Sequence, residues 1–324
     1  MPKRRWSQLA LFEIVLPLVC LCPPALAFRA LELVGAVQRR LAPERREMAT
    51  RRTRALVGPM PPERLDQIVG DLFVNALVAQ TEDLLLARAR AEEVQRRVTV
   101  DGGHHLDRAL DQGKGAILLG THVGFSVLLC HVLRRRGYPL VRVGMTVGQG
   151  RVLRRMGGWA VARLSREIGR PQEEIVLRPK SPAGMLALQL KRMHTALRQN
   201  RIVITMGDGL VGTHRVPVTV LGRSVSLPSS WVTLARLSGA PVLPASMVRR
   251  RRTANFHLRV EPPLPDSVLE PIDPRDGVEA YARWLEAFIR RYPCHAVTLA
   301  WRRPGTGPIG ASANAATLPE AFGD

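Results

Sequence analysis

The strongest constraint on what this chain can fold into is a change of hydrophobic period at about residue 97. Before it, from Pro62 to Arg97, Leu65, Ile68, Val69, Leu72, Phe73, Ala76 and Leu77 recur at three- and four-residue steps, the period of a helix. After it, short Val/Ile-rich runs appear at Arg97 to Val100, Ala116 to Leu119, Leu140 to Val143, Glu174 to Leu177, Arg201 to Met206, Val216 to Leu221, Val242 to Val248 and Phe256 to Val260. Amphipathic stretches at Ser126 to Arg136, Arg151 to Ile168, Ala183 to Arg198, Ser230 to Leu237 and Val278 to Arg291 separate several of them. Apolar runs that alternate with helical segments predict an α/β fold, a central largely parallel sheet flanked by helices. No internal repeat interrupts the pattern, and the Gly-, Ala- and Pro-rich stretch after Arg303 reads as a disordered tail.

Composition narrows the partners. With 46% apolar residues among 324, the chain can bury a core, which excludes a disordered basic tail. Four scattered cysteines, Cys20, Cys22, Cys130 and Cys294, make neither a disulfide framework nor zinc-ligand spacing, so no metal or other cofactor is called for and a reducing compartment is expected. The formal net charge of +21 asks for an anionic partner: nucleic acid, an anionic membrane surface or an acidic carrier protein. No basic stretch carries interleaved aromatics, and no finger or RNA-binding signature is present, so nucleic acid is the weakest of the three.

Residues 8–28, QLALFEIVLPLVCLCPPALAF, are about as long as a helix that crosses a bilayer, but Glu13, Pro17, Pro23 and Pro24 interrupt them. A basic start, an apolar centre and Ala25-Leu26-Ala27 suit a cleaved signal peptide. The arginines that follow, from Arg29 to Arg54, suit a retained anchor seated on anionic lipid. Both readings stand on this segment.

Chemistry in such folds collects at the carboxyl ends of the parallel strands. The run from Ala116 empties into Thr121-His122-Val123-Gly124-Phe125-Ser126, and the run from Arg201 empties into Gly207-Asp208-Gly209. If these strands are parallel, His122 and Asp208 open onto one rim, with His122 beside the amino end of a helix beginning near Gly124, where N–H groups can hold an oxyanion. Histidine suits general-base work on a hydroxyl at neutral pH. The plainer reading is a histidine that caps a turn and an aspartate chosen for turn geometry. Among the other histidines, His104, His105, His194 and His257 read as solvated, and His131 and His295 have no chemical neighbour; only His214 is near a candidate rim. Ser126 lacks the G-x-S-x-G elbow of a nucleophile. Ser229 and Ser230 read as helix N-caps.

Val98-Thr-Val-Asp-Gly-Gly-His-His-Leu-Asp107 followed by Ala109-Leu-Asp-Gln-Gly-Lys-Gly-Ala-Ile-Leu-Leu-Gly-Thr-His-Val-Gly124 resembles the approach to the catalytic histidine in the late acyltransferases of lipid A biosynthesis, the lauroyl and myristoyl transferases of the lysophospholipid acyltransferase superfamily. Leu197-Arg-Gln-Asn-Arg-Ile-Val-Ile-Thr-Met-Gly-Asp208, Val216 to Ser224, Leu234 to Pro244 and Trp284 to Pro293 are similar to the blocks that follow in that family, in the same order. The resemblance implies an enzyme held to the cytoplasmic face of the inner membrane, which moves a fatty acyl group from acyl carrier protein, or from coenzyme A, to a hydroxyl of a glycolipid such as a lipid A precursor. It favours a retained anchor, and divides the chain into an anchor with basic helices (1–60), an acyltransferase domain (61–303) and a tail (304–324). It further implies His122 as base, assisted by Asp208, with N–H groups at Gly124 and Phe125 holding the oxyanion and no acyl-enzyme. Arg163, Arg166 and Arg178, and more weakly Arg223, are candidates to hold a phosphate of acceptor or donor.

One position departs from the family pattern. The acid expected four residues beyond the histidine falls on Val127, which cannot orient an imidazole. Either Asp208 or another carboxylate takes that role, or the protein is a catalytically weak or inactive homologue that binds lipid or carrier.

Overall fold

The computed structural model describes residues 11–87, 91–144, 151–169, 172–176, 183–209 and 214–297. Seven strands form the central sheet: β1 (Val98–Asp101), β2 (Ala116–Gly120), β3 (Leu140–Gly144), β4 (Glu173–Val176), β5 (Ile202–Met206), β8 (Val242–Arg249) and β9 (Phe256–Val260), with β6 (Arg215–Val220) and β7 (Arg223–Pro228) forming a separate hairpin. The sheet order is β1-β9-β8-β2-β5-β3-β4. From β8 to β4 every pairing is parallel; β9 runs antiparallel to β8, and β1 runs parallel to β9. The sheet is therefore largely parallel, as the alternating pattern predicts, with two reversed strands at one side.

The central strands β2 and β8 are buried over their whole length and β5 over Ile202 to Ile204, and their side chains feed two cores. On one face Leu118, Ile204, Leu243 and Met247 pack with Leu128 and Leu133 of the Ser126–Arg135 helix and with Leu31 and Val78 of the long helices Pro24–Leu41 and Pro62–Ala87. On the other, Ile117, Leu119, Val203 and Val242 pack with Leu234 of the Ser230–Ser238 helix and Tyr281, Leu285 and Ile289 of the Arg275–Arg291 helix. Burial of such side chains contributes roughly 1.5–3 kcal/mol each, so the sheet edge that carries the site is fixed from both sides.

Three segments differ from the sequence reading. The β6–β7 hairpin turns through Leu221 and Gly222, both with positive φ, as two-residue hairpin loops require. Its second strand alternates polar and apolar residues too briefly for its period to stand out. The Gly103–Asp111 helix, nine residues long, follows β1 where the sequence reading places no element. Ser229 does occupy the N-cap position of the Ser230–Ser238 helix, but its hydroxyl donates to His214 O at 3.2 Å and makes no cap hydrogen bond.

The N-terminal segment lies against the domain. Leu16 and Cys20 are buried in the same core as the sheet, and Glu13 Oε2 accepts the Val152 N–H at 3.0 Å, close to the amino end of the Arg151–Ile168 helix. The residue that interrupts the apolar run thus offers a negative charge to a helix amino terminus. Pro23 and Pro24 break the segment from the next helix, and among the described residues no helix is long and apolar enough to cross a membrane. The expected N-terminal anchor therefore has no bilayer-spanning form among the described residues, and residues 8–10 of its apolar run lie outside them.

Candidate active site

Parallel pairing of β2 with β5 sets Gly120 level with Met206. Two residues further along each chain, beyond the carboxyl ends of both strands, stand His122 and Asp208. His122 Nδ1 lies 2.8 Å from Asp208 Oδ1, and the His122 main-chain N–H donates to the same carboxylate, 3.0 and 2.9 Å from its two oxygens. The Thr121 hydroxyl donates to Oδ2 at 2.7 Å. Asp208 is 1% exposed, whereas the His122 side chain is 35% exposed.

These contacts fix protonation. Burial by itself would raise the Asp208 pKa, but the facing imidazole and the donors from Thr121 and the His122 backbone outweigh it and hold the carboxyl below its ordinary value. An ionised carboxylate only accepts, so Nδ1 carries the proton in the neutral ring, and Nε2, on the side away from Asp208, keeps its lone pair for an incoming hydroxyl. Val127, one residue into the Ser126–Arg135 helix, supplies no acid; Asp208 supplies it from a different strand.

The loop that carries His122 is closed by its own amides. Val123 N–H donates to Thr121 Oγ1 at 3.0 Å, Gly124 N–H to His295 O at 3.3 Å and Phe125 N–H to Met247 O at 3.0 Å. Gly124 adopts φ +100°, and a methyl there would come 2.3 Å from Met247 O. The Gly124 and Phe125 N–H groups, the expected oxyanion donors, thus hold the loop to His295 and to β8 in this structure. What remains near the histidine is the amino end of the Ser126–Arg135 helix, which no side chain caps.

The sequence reading gave His295 no chemical neighbour, and the structure corrects that. Its ring is buried, accepts the Arg249 N–H on Nε2 at 2.9 Å, and meets the Phe125 ring edge-on at 5.6 Å. Burial, with the Arg249 charge beside it, lowers its pKa to about 3, so it is neutral. The Arg249 guanidinium in turn reaches Asn75 at 3.1 Å and Glu32 at 3.0 Å. His295 and Tyr281, whose hydroxyl donates to Gly120 O at 2.9 Å, belong to the site's frame. No local signal marks either, because both arrive from more than 150 residues away along the chain.

Three of the four arginine candidates lie among the described residues. Arg163 and Arg166 are exposed on the Arg151–Ile168 helix, Arg163 with its guanidinium 5.9 Å from the centre of the Trp159 ring. Arg223 is exposed at the start of β7, and Arg178 lies outside the described residues. Among the described residues none of the three makes a hydrogen bond or ion pair with His122 or Asp208.

A half-buried histidine bonded through Nδ1 to a buried aspartate at the carboxyl edge of a largely parallel sheet is an arrangement able to accept a proton from a hydroxyl. The family described as Bacterial lipid A biosynthesis acyltransferase matches residues 2–299, and the chain belongs to it. No curated protein matches the chain. The protein is accordingly an acyltransferase.

Proposed function

We propose that the protein transfers a fatty acyl group from acyl carrier protein, or from coenzyme A, to a hydroxyl of a glycolipid such as a lipid A precursor, working at the cytoplasmic face of the inner membrane. The observation that carries this reading is the 2.8 Å contact between His122 Nδ1 and Asp208 Oδ1, which leaves Nε2 as the base. The acceptor hydroxyl gives its proton to Nε2 while its oxygen attacks the thioester carbonyl carbon. The carbonyl electrons move to oxygen, and the amino end of the Ser126–Arg135 helix faces that charge. Collapse re-forms the carbonyl and expels the thiolate, which takes the proton back from Nε2. Asp208 stabilises the transient imidazolium without itself being protonated. Ser126 forms no acyl-enzyme in this scheme.

Charge supports the partners. A net +21 suits an acidic carrier, a phosphorylated acceptor and an anionic lipid surface together. Exposed apolar side chains support the membrane. Leu26, Leu33, Val37 and Leu41 recur at helical spacing along one face of the Pro24–Leu41 helix. Ile14, Leu18 and Leu21 are exposed on the segment before it, and Val152 and Trp159 on the helix that Glu13 meets. Apolar residues bordered by arginines suit elements that lie in a lipid interface.

The test is mass-resolved transfer by purified protein from acyl carrier protein or acyl-coenzyme A to a lipid A precursor in mixed micelles. Transfer that falls at least a hundredfold in His122→Ala, with unchanged circular dichroism, supports the reading. Equal activity in the two proteins refutes it.

A further inference from the structure

Beyond the last β2–β5 pair, one carbonyl holds the two strand ends together. Gly120 O accepts the Gly207 N–H at 3.0 Å and the Tyr281 hydroxyl at 2.9 Å. Gly207 is the residue before Asp208, and Gly120 stands two residues before His122. The ring of Tyr281 is fully buried, flanked by Trp231 at 6.1 Å and Trp284 at 5.4 Å. It packs so closely on Gly207 that a methyl there would come 2.4 Å from Tyr281 Cζ. The phenol is pushed well above its ordinary pKa by burial and then by the charge of Asp208. It therefore remains a neutral donor close to the dyad's carboxylate.

We propose that Tyr281 is a positioning residue for acyl transfer: its hydroxyl on Gly120 O and its ring on Gly207 set the approach of the two strand ends, and so the contact of Asp208 with His122. The inference rests on the reading of His122 as the base. A fold-only role for Tyr281 would need the ring alone, since a phenylalanine would fill the same space between the two tryptophans. The hydroxyl is what addresses the shared carbonyl. Removing it leaves Gly120 O with the Gly207 N–H as partner, so the buried acceptor stays satisfied and the domain is expected to fold. What is lost is the tie from the Arg275–Arg291 helix to the strand end, together with the phenol's interaction with the Thr121 side chain, whose own hydroxyl donates to Asp208. Small displacements there matter, because proton transfer depends on a narrow range of geometry.

The experiment compares Tyr281→Phe with Tyr138→Phe in the full chain. Tyr138 donates its hydroxyl to Asp107 at 2.8 Å, so its variant loses a phenol hydrogen bond, an exposed one to a carboxylate, that involves neither His122 nor Asp208. Four quantities are read: melting temperature, kcat and donor KM for acyl transfer, and the low-field proton resonance of the His122 Nδ1–H in protein labelled with 15N-histidine, identified by its absence in His122→Ala. For Tyr281→Phe the expected result is a tenfold or greater fall in kcat with donor KM within twofold, and a shift or loss of the low-field resonance. Tyr138→Phe is expected to keep wild-type kcat and resonance. Wild-type kcat and an unmoved resonance in Tyr281→Phe overturn the proposal. So does a loss of kcat in both variants that merely follows their melting temperatures. The resonance needs no turnover: should His122→Ala retain activity, the base assignment fails, while the resonance still reports whether Tyr281 sets the contact.

Discussion

Asp208 holds His122 at two points at once, the ring through Nδ1 at 2.8 Å and the main chain through its N–H at 2.9 and 3.0 Å. One buried carboxylate therefore fixes the backbone, the ring orientation and the tautomer of the same residue. Asp208→Asn keeps the shape but presents an amide whose N–H₂ can face Nδ1 and draw the proton to Nε2, the wrong nitrogen for a base. The expected result is a fall in kcat on the order of 10²–10⁴, by analogy with the loss of an orienting acid in a triad. Steady-state kinetics on folded variant protein measure it; a kcat within threefold of wild type would falsify the orienting role.

Val127→Glu restores an acid where the family pattern has one. Because Asp208 already occupies Nδ1, the added carboxylate finds no open nitrogen on that side of the ring. Activity is expected not to rise, and to fall if the half-buried site resists the charge. A severalfold gain in kcat would mean that the dyad is incomplete as it stands.

His295 predicts a pH dependence of stability. Its pKa is about 3 in the folded protein and near 6.5 when unfolded. Above the unfolded value both states are neutral and its contribution is whole. Between that value and about 3 the unfolded chain binds the additional proton, so stability is lost as pH falls, by at most about 1.4 kcal/mol per pH unit. Asp208, also held low, contributes stability above its unfolded pKa near 3.9, which is lost as pH falls further towards its folded value. Urea denaturation of wild type and His295→Gln between pH 7 and 4 checks the first part. The variant is expected to be less stable at pH 7 and to show the flatter curve, and parallel curves would contradict it.

Gly124→Ala strains a left-handed backbone and drives a methyl against Met247 O. The loop can relieve this only by breaking the Phe125-to-Met247 hydrogen bond, which moves His122. Stability is expected to fall by about 1–3 kcal/mol and kcat by more than that loss of folded protein accounts for. Wild-type kcat per folded molecule would show that the loop tolerates the displacement.

The exposed face of the Pro24–Leu41 helix predicts interfacial binding. Leu33→Glu with Leu41→Glu is expected to weaken partition onto vesicles containing anionic lipid at least tenfold, with little change in melting temperature because both side chains are largely exposed. Flotation with and without anionic lipid checks it. Unaltered partition would place the lipid contact elsewhere.

Much of the fold is legible in the sequence because each segment's period is a local property. The Val/Ile runs became β2, β3, β5, β8 and β9 within a residue or two, and the amphipathic stretch Ala183–Arg198 is a helix at its read boundaries. The pairing of His122 with Asp208 is half legible. Each ends an apolar run, so each is visible as a strand-end residue, but their meeting depends on β2 and β5 being neighbours, and 81 residues that include two other strands lie between the end of β2 and the start of β5. The partners of the Gly124 and Phe125 amides are not legible for the same reason: their acceptors, His295 O and Met247 O, come from distant parts of the chain.

The sequence alone therefore determined the layers of this protein, the strand ends that His122 and Asp208 follow and the family to which it is similar, since periodicity and motif order need only neighbouring residues. Tertiary structure decided which carboxylate serves His122 in place of Val127, which amides are committed to the loop, and that Tyr281 and His295 frame the site. Hydrogen bonds act over about 3 Å, and only the folded sheet brings groups so far apart in the chain within that distance.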